Sequence, residues 1–545
     1  MTPNNHVDAI VIGAGFGGIH GLHVLRELGL SAKVLERAPD IGGTWWYNRY
    51  PGCMSDTESY LYRFFWDKED LQTYPWSNRY VQGSEILEYL RHVVHKHDMR
   101  KDIQLDTEVI DASWDDGNAR WNVKAKITTT SEEIEFTGRY LITALGSLHK
   151  KVFPNIPGLE DFKGVLRHSS DWDPETDLRH KRVGVVGCGA TGVQIITAIA
   201  PEVKSLISFQ RSPQYSVPVR DHPITPEQRA WINVHYDEII DQVWQSWSGF
   251  GFVESKRETL SVSPQEREQI FENLWQFGHG AHFMFGGFGD ITTNPEANEE
   301  ACRFMRQKIR QIIKDPLKAE KVIPREPFAR RPLCDSGYYE VLNRDTVEIV
   351  NCHENPIIAV TPNGVKTEDG TIHEVDILIF ATGFDALDGS YRGFPIRGQS
   401  GKLLTDHWAD GPRNYLGMAC AGFPNMFMIN GPLAPFGNNV AALQCVSKPI
   451  ARVIEAAERS KTRGTNDRPS TCVVVPTSEA EASWTTMCRQ MSKGSLFSSV
   501  SSWINGGNLA GEPGVCKVFY GGLKYYTEVV QRALDNDYKG FKMER

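Results

Sequence analysis

The sequence predicts an α/β chain in which one strand, loop and helix unit occurs twice, and three observations carry that reading. Residues 7–12, VDAIVI, form a short apolar run that stops at the loop Gly13-Ala14-Gly15-Phe16-Gly17-Gly18. Residues 183–186, VGVV, run in the same way into Gly187-Cys188-Gly189-Ala190-Thr191-Gly192. Two more apolar strands, YLITALG at 140–146 and DILIFATG at 376–383, each end at a glycine and read as paired crossings between two domains. Strand, glycine loop and helix together open a Rossmann-like dinucleotide-binding domain, so the duplication predicts two of them. At 545 residues the chain is too long for a single core.

In the first unit, helical spacing runs from Ile19 to Leu30 and a second strand, AKVLE, closes at Glu36. Gly13 permits the tight turn, Gly15 lets a pyrophosphate approach the backbone, and Gly18 lets the helix pack on the strand. Glu36 stands 23 residues past Gly13. A carboxylate there accepts hydrogen bonds from a ribose diol and repels a phosphate, which suits FAD or NAD. In the second unit Gly187, Gly189 and Gly192 keep the spacing, but the next strand, SLISFQRSPQ, ends in Arg211 and Ser212. A basic fork and a hydroxyl 24 residues past Gly187 can hold a 2′-phosphate, which points to NADPH. One loop is expected to hold a flavin and the other its reductant.

Between Asp221 and Pro327 the pattern turns helical. Three helix starts are announced by a capping residue, a proline and an early acid: Thr225-Pro226-Glu227, Ser263-Pro264-Gln265-Glu266 and Asn294-Pro295-Glu296. The first carries one apolar stripe, Ile232, Tyr236, Ile239, Ile240 and Val243. The expected division is an FAD-binding domain from 1–146 and 383–545, an NADP-binding domain from 147–220 and 329–382, and a helical insert at 221–328 that caps a site.

With 59 basic and 68 acidic residues the net charge is −9, and no Lys/Arg tract favours nucleic acid or an anionic membrane. The ten cysteines form no CxxC pair, which fits a reducing compartment and no metal site. The start, MTPNNHVDAIVIGAGFG, has no basic n-region and too short an apolar run to span a bilayer. A cytoplasmic monomer is expected. Disulfide reductases need a cysteine pair beside the flavin, and IGGTWWYNRYPGCMSD offers only Cys53. Oxygen activation is the remaining common task of a flavin with its own reductant.

FKGVLRHSSDWD, 162–173, resembles the FxGxxxHxxxW(P/D) pattern of type I Baeyer–Villiger monooxygenases, with Phe162, Gly164, His168, Trp172 and Asp173 in place. A second signature of that family matches Gly43, Trp45, Tyr50, Pro51, Gly52 and Asp56. ARRPLCDSGYYEVLNRD (329–345), ATGFDAL (381–387) and NYLGMACAGFPNMFMINGP (414–432) extend the resemblance over nearly the whole chain.

The resemblance implies that NADPH reduces FAD, that O₂ adds to give a C4a-peroxyflavin, and that the peroxide attacks a ketone to give an ester or lactone. Sulfoxidation is an expected side activity. By the same resemblance Arg331 is the catalytic cation and Asp56 the acid that orients it. Without the resemblance Arg330-Arg331 reads first as a solvated basic pair, and Asp56 can be a turn residue after Pro51-Gly52. FAD is expected at Gly13, Gly15, Gly18, Glu36, Thr44, Trp45, Asp56, Tyr62 and Val109. NADP is expected at Gly187, Gly189, Thr191, Gly192, Gln194, Arg211, Ser212, Arg330 and the loop residue Trp503. His168 is assigned a linker role rather than proton transfer. Two alternatives stay open: a monooxygenase that oxidises nitrogen or sulfur, and a non-catalytic NADPH/flavin redox sensor.

Overall fold

The computed structural model describes residues 5–460, 472–509 and 514–544. The outer ends and two inner stretches of the expected FAD-binding segments, 1–4, 461–471, 510–513 and 545, lie outside the described residues.

The first sheet forms around His6–Ile12, whose run of apolar side chains is buried on both faces. It pairs in parallel with Ala32–Leu35 on one side and Glu133–Thr143 on the other. The register sets Ile12 opposite both Leu35 and Thr143, so three strands end together at one edge. Across the sheet the order is Ile396–Arg397, Thr107–Asp115, Arg120–Ile127, Glu133–Thr143, His6–Ile12, Ala32–Leu35 and Ile103–Gln104, with Met426–Met428 also on Glu133–Thr143. At the shared edge the chain turns at Gly13, with φ +99°, where an added Cβ would lie 2.5 Å from the Ala144 carbonyl oxygen. A Cβ on Gly18 would come within 1.7 Å of the Gly13 carbonyl oxygen, which brings the helix Phe16–Glu27 tightly against the turn.

The second sheet is parallel throughout, in the order Val347–Asn351, Ser205–Gln210, Arg182–Val186, Ile377–Phe380 and Val165–His168. Its turn repeats the first: Gly187 has φ +113°, and a Cβ there would stand 2.4 Å from the Ala381 carbonyl oxygen. The two crossing segments pair with each other, Lys150–Lys151 running antiparallel to Phe384–Asp385.

The insert starts its helices where the sequence places them, at Pro226–Gln245, Pro264–Phe277 and Pro295–Ile312. The side chains of Thr225, Ser263 and Asn294 each accept a first-turn N–H. Two further helices, Gly280–Phe285 and Pro316–Val322, were not expected, and the second opens in the same way on Asp315. Ile232, Tyr236, Ile239 and Val243 are buried as a stripe, while Ile240 is half-buried.

Other elements carried no advance signal. Thr107–Asp115 and Arg120–Ile127 form an antiparallel meander with Glu133–Thr143, of which only the end at 140–143 was expected. The helix Asn439–Arg459 runs on through Pro449. Among the described residues no helix is long and apolar enough to cross a membrane, and no group of His, Cys, Asp or Glu could hold a metal ion. Nine cysteines, Cys472 apart, are free thiols.

Candidate active site

A cavity of about 470 Å³ opens where the first sheet ends, lined by Gly13, Gly15, Glu36, Thr44, Trp45, Tyr62 and Val109. The helix Phe16–Glu27 starts beside it with no side-chain cap and no acid in its first turn. Its N–H groups and dipole are therefore left for an anion, as a diphosphate requires. Glu36 is buried, its two oxygens accepting the N–H groups of Ala14 and Ala38, each at 2.8 Å. Burial pushes its carboxyl up, and these N–H groups pull it partly back. A carboxylate oxygen has two lone pairs, so each retains acceptor capacity for a ribose diol. The cavity and its donors fit FAD.

The second loop offers the same uncapped start. The helix Ala190–Ile199 begins at Gly189 with no side-chain cap and no first-turn acid. The space above Gly189 is open, for a Cβ there would meet only Gln214 Nε2, at 3.9 Å. Thr191 and Gly192 form the first turn of this helix. Arg211 is exposed and has no carboxylate partner among the described residues. Ser212 follows it, with its carbonyl accepting the Cys188 thiol. Arg330 pairs with Glu326 and lines a crevice with Pro213, Gln214 and Tyr215, next in sequence to Ser212. Two guanidinium groups and open loop N–H groups fit the phosphates of NADP. Gln194 spends its amide on protein, accepting from Tyr50 Oη at 2.8 Å and donating to the Met54 carbonyl at 3.1 Å. It thereby ties the second loop's helix to the segment that carries Asp56.

Arg331 and Asp56 lie 275 residues apart in sequence and form a two-pronged ion pair. Arg331 Nη2 donates to Asp56 Oδ1 at 2.6 Å, and Nη1 donates to Oδ2. Each partner is held from behind. Ser55 and Ser59 donate backbone N–H groups to Val81 and Arg79, fixing the turn around Asp56. Arg331 enters the strand Leu333–Asp335, which pairs with Ser216–Pro218, and Asp335 anchors that pairing by accepting the Ser216 hydroxyl at 2.6 Å. Burial pushes the Asp56 carboxyl up, but the Arg331 charge and hydrogen bonds prevail and hold it below the ordinary carboxylate range. Burial likewise works against the Arg331 cation, and Asp56 more than offsets it, so the guanidinium stays charged. Two of its five N–H donors go to Asp56, which leaves three to face a reacting group.

The pair opens on a second, apolar pocket of about 20 Å³, room for one water and obliged to widen for an organic substrate, walled by Trp247, Phe250, Phe285, Phe436, Cys334 and His279. Residues 221–328 supply Trp247, Phe250, His279 and Phe285 to this wall. Trp503 lies on a short turn beside this wall, 6.3 Å from Phe436 between ring centres. Burial pushes the Cys334 thiol up to about 12, so it remains a neutral wall.

His168 lies elsewhere. It ends the edge strand Val165–His168, stacks near Phe153 and Phe384 at the crossing ribbon, and lines neither cavity. Burial, with Lys151 nearby, pushes it down to about 4, so it is neutral at working pH. Phe162, Gly164 and Trp172 surround the same edge, and a Cβ on Gly164 would lie 2.3 Å from the Asp376 carbonyl oxygen. Sequence reading missed His279 and the aromatic wall around it, because nothing in their spacing marks a pocket.

Two dinucleotide loops that flank a fixed cation in an apolar cavity define a flavoprotein oxidoreductase that takes a nicotinamide reductant. Residues 7–216 match the family model described as flavin-binding monooxygenase-like. The chain is 42% identical over 545 residues to cyclohexanone 1,2-monooxygenase of Acinetobacter sp, covering 100% of this chain and 98% of the relative. It is 43% identical to phenazine N-monooxygenase of Lysobacter antibioticus, covering 98% and 97%. The crystal structure of cyclohexanone monooxygenase from Rhodococcus sp. Phi1 bound to NADP+ superposes with a TM-score of 0.95 at 45% identity, covering 99% of each chain. The chain belongs to the type I Baeyer–Villiger monooxygenases. It is an NADPH-dependent flavoenzyme that converts ketones to esters or lactones and uses FAD and NADP(H).

Proposed function

We propose that this chain acts on compact ketones, cyclic ones foremost, in the cavity that Arg331 and Asp56 share with the aromatic wall. The observation that carries this reading is a bidentate guanidinium–carboxylate pair set between the two dinucleotide loops and facing an apolar cavity. FAD, when bound, supplies the oxygen chemistry. Arg331 directs its free N–H groups at the oxygen that gains negative charge as the carbonyl is attacked, and Asp56 keeps it from turning away. The cation pre-exists and needs no reorganisation at the moment of reaction, while Phe250, Phe285, Phe436 and Trp247 keep water out. The residues around the 470 Å³ cavity hold FAD. Gly187, Gly189, Thr191, Gly192, Arg211, Ser212 and Arg330 hold NADP, with Gln194 as a strut and Trp503 closing from the loop.

The strands of the first sheet fall within 6–143 and 396–428 and those of the second within 165–210 and 347–380, which supports the domain division expected from sequence. Nine free thiols support a reducing, cytoplasmic setting, and we assign a monomer.

A second reading has its own support. The phenazine N-monooxygenase is as similar as the cyclohexanone enzyme, and flat aromatic walls suit a flat heteroarene. Gas-chromatographic and mass-spectrometric product analysis with NADPH and O₂ decides between them, over cyclohexanone, cyclopentanone, 2-octanone, phenylacetone, thioanisole and phenazine. Lactone from the cyclic ketones at the highest kcat/KM supports the first reading. N-oxide from phenazine with no ester from any ketone overturns it in favour of the second.

A further inference from the structure

One residue of the apolar cavity carries two unmet demands. His279 is 3% exposed and lines the same cavity as Arg331 and Asp56. Its Nδ1 accepts the His282 N–H at 3.0 Å, so in the neutral ring the proton sits on Nε2. That Nε2 is buried and has no hydrogen-bond partner among the described residues. The backbone at His279 has φ +79°, a region costly for any side chain with a Cβ. The charged neighbours are already engaged: Asp56 holds Arg331, and Glu58 holds Arg79 at 2.6 Å and Tyr60 Oη at 2.5 Å. Burial, the largest influence, pushes the imidazole down to about 4, so the ring that lines the cavity is a neutral donor.

A buried donor without an acceptor and a strained backbone at one residue are both destabilising, and folds tolerate such costs where function needs them. The ring is also fixed in place. Phe250 packs on it edge-to-face at 5.2 Å, and a Cβ on the next residue, Gly280, would come within 2.7 Å of Pro332, which adjoins Arg331. We propose that His279 Nε2–H is a specificity contact that recognises ketones carrying a second hydrogen-bond acceptor, such as an ether oxygen, on the side away from the reacting carbonyl. The apolar wall holds the hydrocarbon frame, Arg331 takes the carbonyl, and His279 takes the distal oxygen. A plain carbocycle leaves the donor unmet and forfeits that contact. This inference rests on ketone oxidation in the Arg331 cavity and adds which ketones are preferred.

The test uses the FAD-loaded enzyme and two matched pairs, tetrahydropyran-4-one against cyclohexanone and 4-methoxyphenylacetone against 4-ethylphenylacetone. The readout is the ratio of kcat/KM for the oxygen-bearing member to that of its partner, taken within each form of the enzyme. In the parent the ratio in at least one pair is expected to exceed that of His279→Phe by about tenfold to a hundredfold. His279→Gln keeps an N–H donor and is expected to retain most of the preference. His279→Gly relieves the backbone strain, so it covers the case in which His279→Phe fails to fold, and it is expected to lose the preference. Equal ratios across parent, Gln, Phe and Gly forms in both pairs overturn the proposal, as they would if Nε2 were satisfied by a trapped water. No ester from any ketone would instead overturn the functional reading beneath it.

Discussion

Arg211 and Glu36 show how one side chain sorts two nucleotides. Glu36 is buried at the first loop, where its charge excludes a 2′-phosphate, and Arg211 is exposed at the second with no carboxylate among the described residues to neutralise it. Arg211→Ala is therefore expected to raise KM for NADPH about tenfold to a hundredfold while leaving NADH nearly unaffected, because only NADPH carries the phosphate. Equal losses for both cofactors in steady-state kinetics would contradict the assignment. Both positions are legible from their offset past a glycine loop. Arg331 and Asp56 are not, since 275 residues separate them and only the resemblance joined them before the fold did. His279 left no signal at all, because its meaning lies in a backbone angle and an unmet donor.

The helical insert was readable because its starts combine a cap with a fixed-φ proline, a signal local to three residues. The meander at 107–143 is held together by pairing between strands, and Asn439–Arg459 hides behind Pro449, so neither could be read with equal force. Cap strength itself is testable. Asn294 accepts the Glu296 N–H at 3.0 Å and reaches that of Ala297. Asn294→Ala is expected to destabilise the insert by about 1 kcal/mol and Asn294→Asp to restore it, read as shifts in a thermal melt. The cost reaches the site, since the helix Pro295–Ile312 buries Asn298, which donates to the Ile291 and Phe328 carbonyls at 2.9 Å close to Arg331. An unchanged melt and unchanged turnover would show that the cap is redundant.

The molecule builds its apolar cavity from four distant stretches, so its integrity is a property of the whole chain. Asp56 comes from the turn after Pro51-Gly52, Trp247 to Phe285 from the helical stretch, Arg331 to Cys334 from the approach to Leu333–Asp335, and Phe436 from the stretch before Asn439–Arg459. Acid should loosen this assembly. Burial pushes His20 to about 3 and His168 and His279 to about 4, while unfolded histidine titrates near 6.5. The unfolded chain thus binds more protons between about pH 6.5 and 4, and stability falls as pH drops through that window. The melting temperature is expected to fall steadily from pH 7 to 5, and a flat profile would contradict the neutral assignments. The chemistry asks for a different experiment. Hydride donation from NADPH needs only the two nucleotides aligned, whereas oxygen insertion needs a cation where charge develops. In Arg331→Ala loaded with FAD, anaerobic bleaching of the flavin by NADPH is therefore expected to persist. Ester formation from cyclohexanone should fall at least a hundredfold to a thousandfold, with the NADPH consumed recovered as hydrogen peroxide. Lactone at near-parental rate from that variant would show that Arg331 is not the catalytic cation and that the reaction centre lies elsewhere.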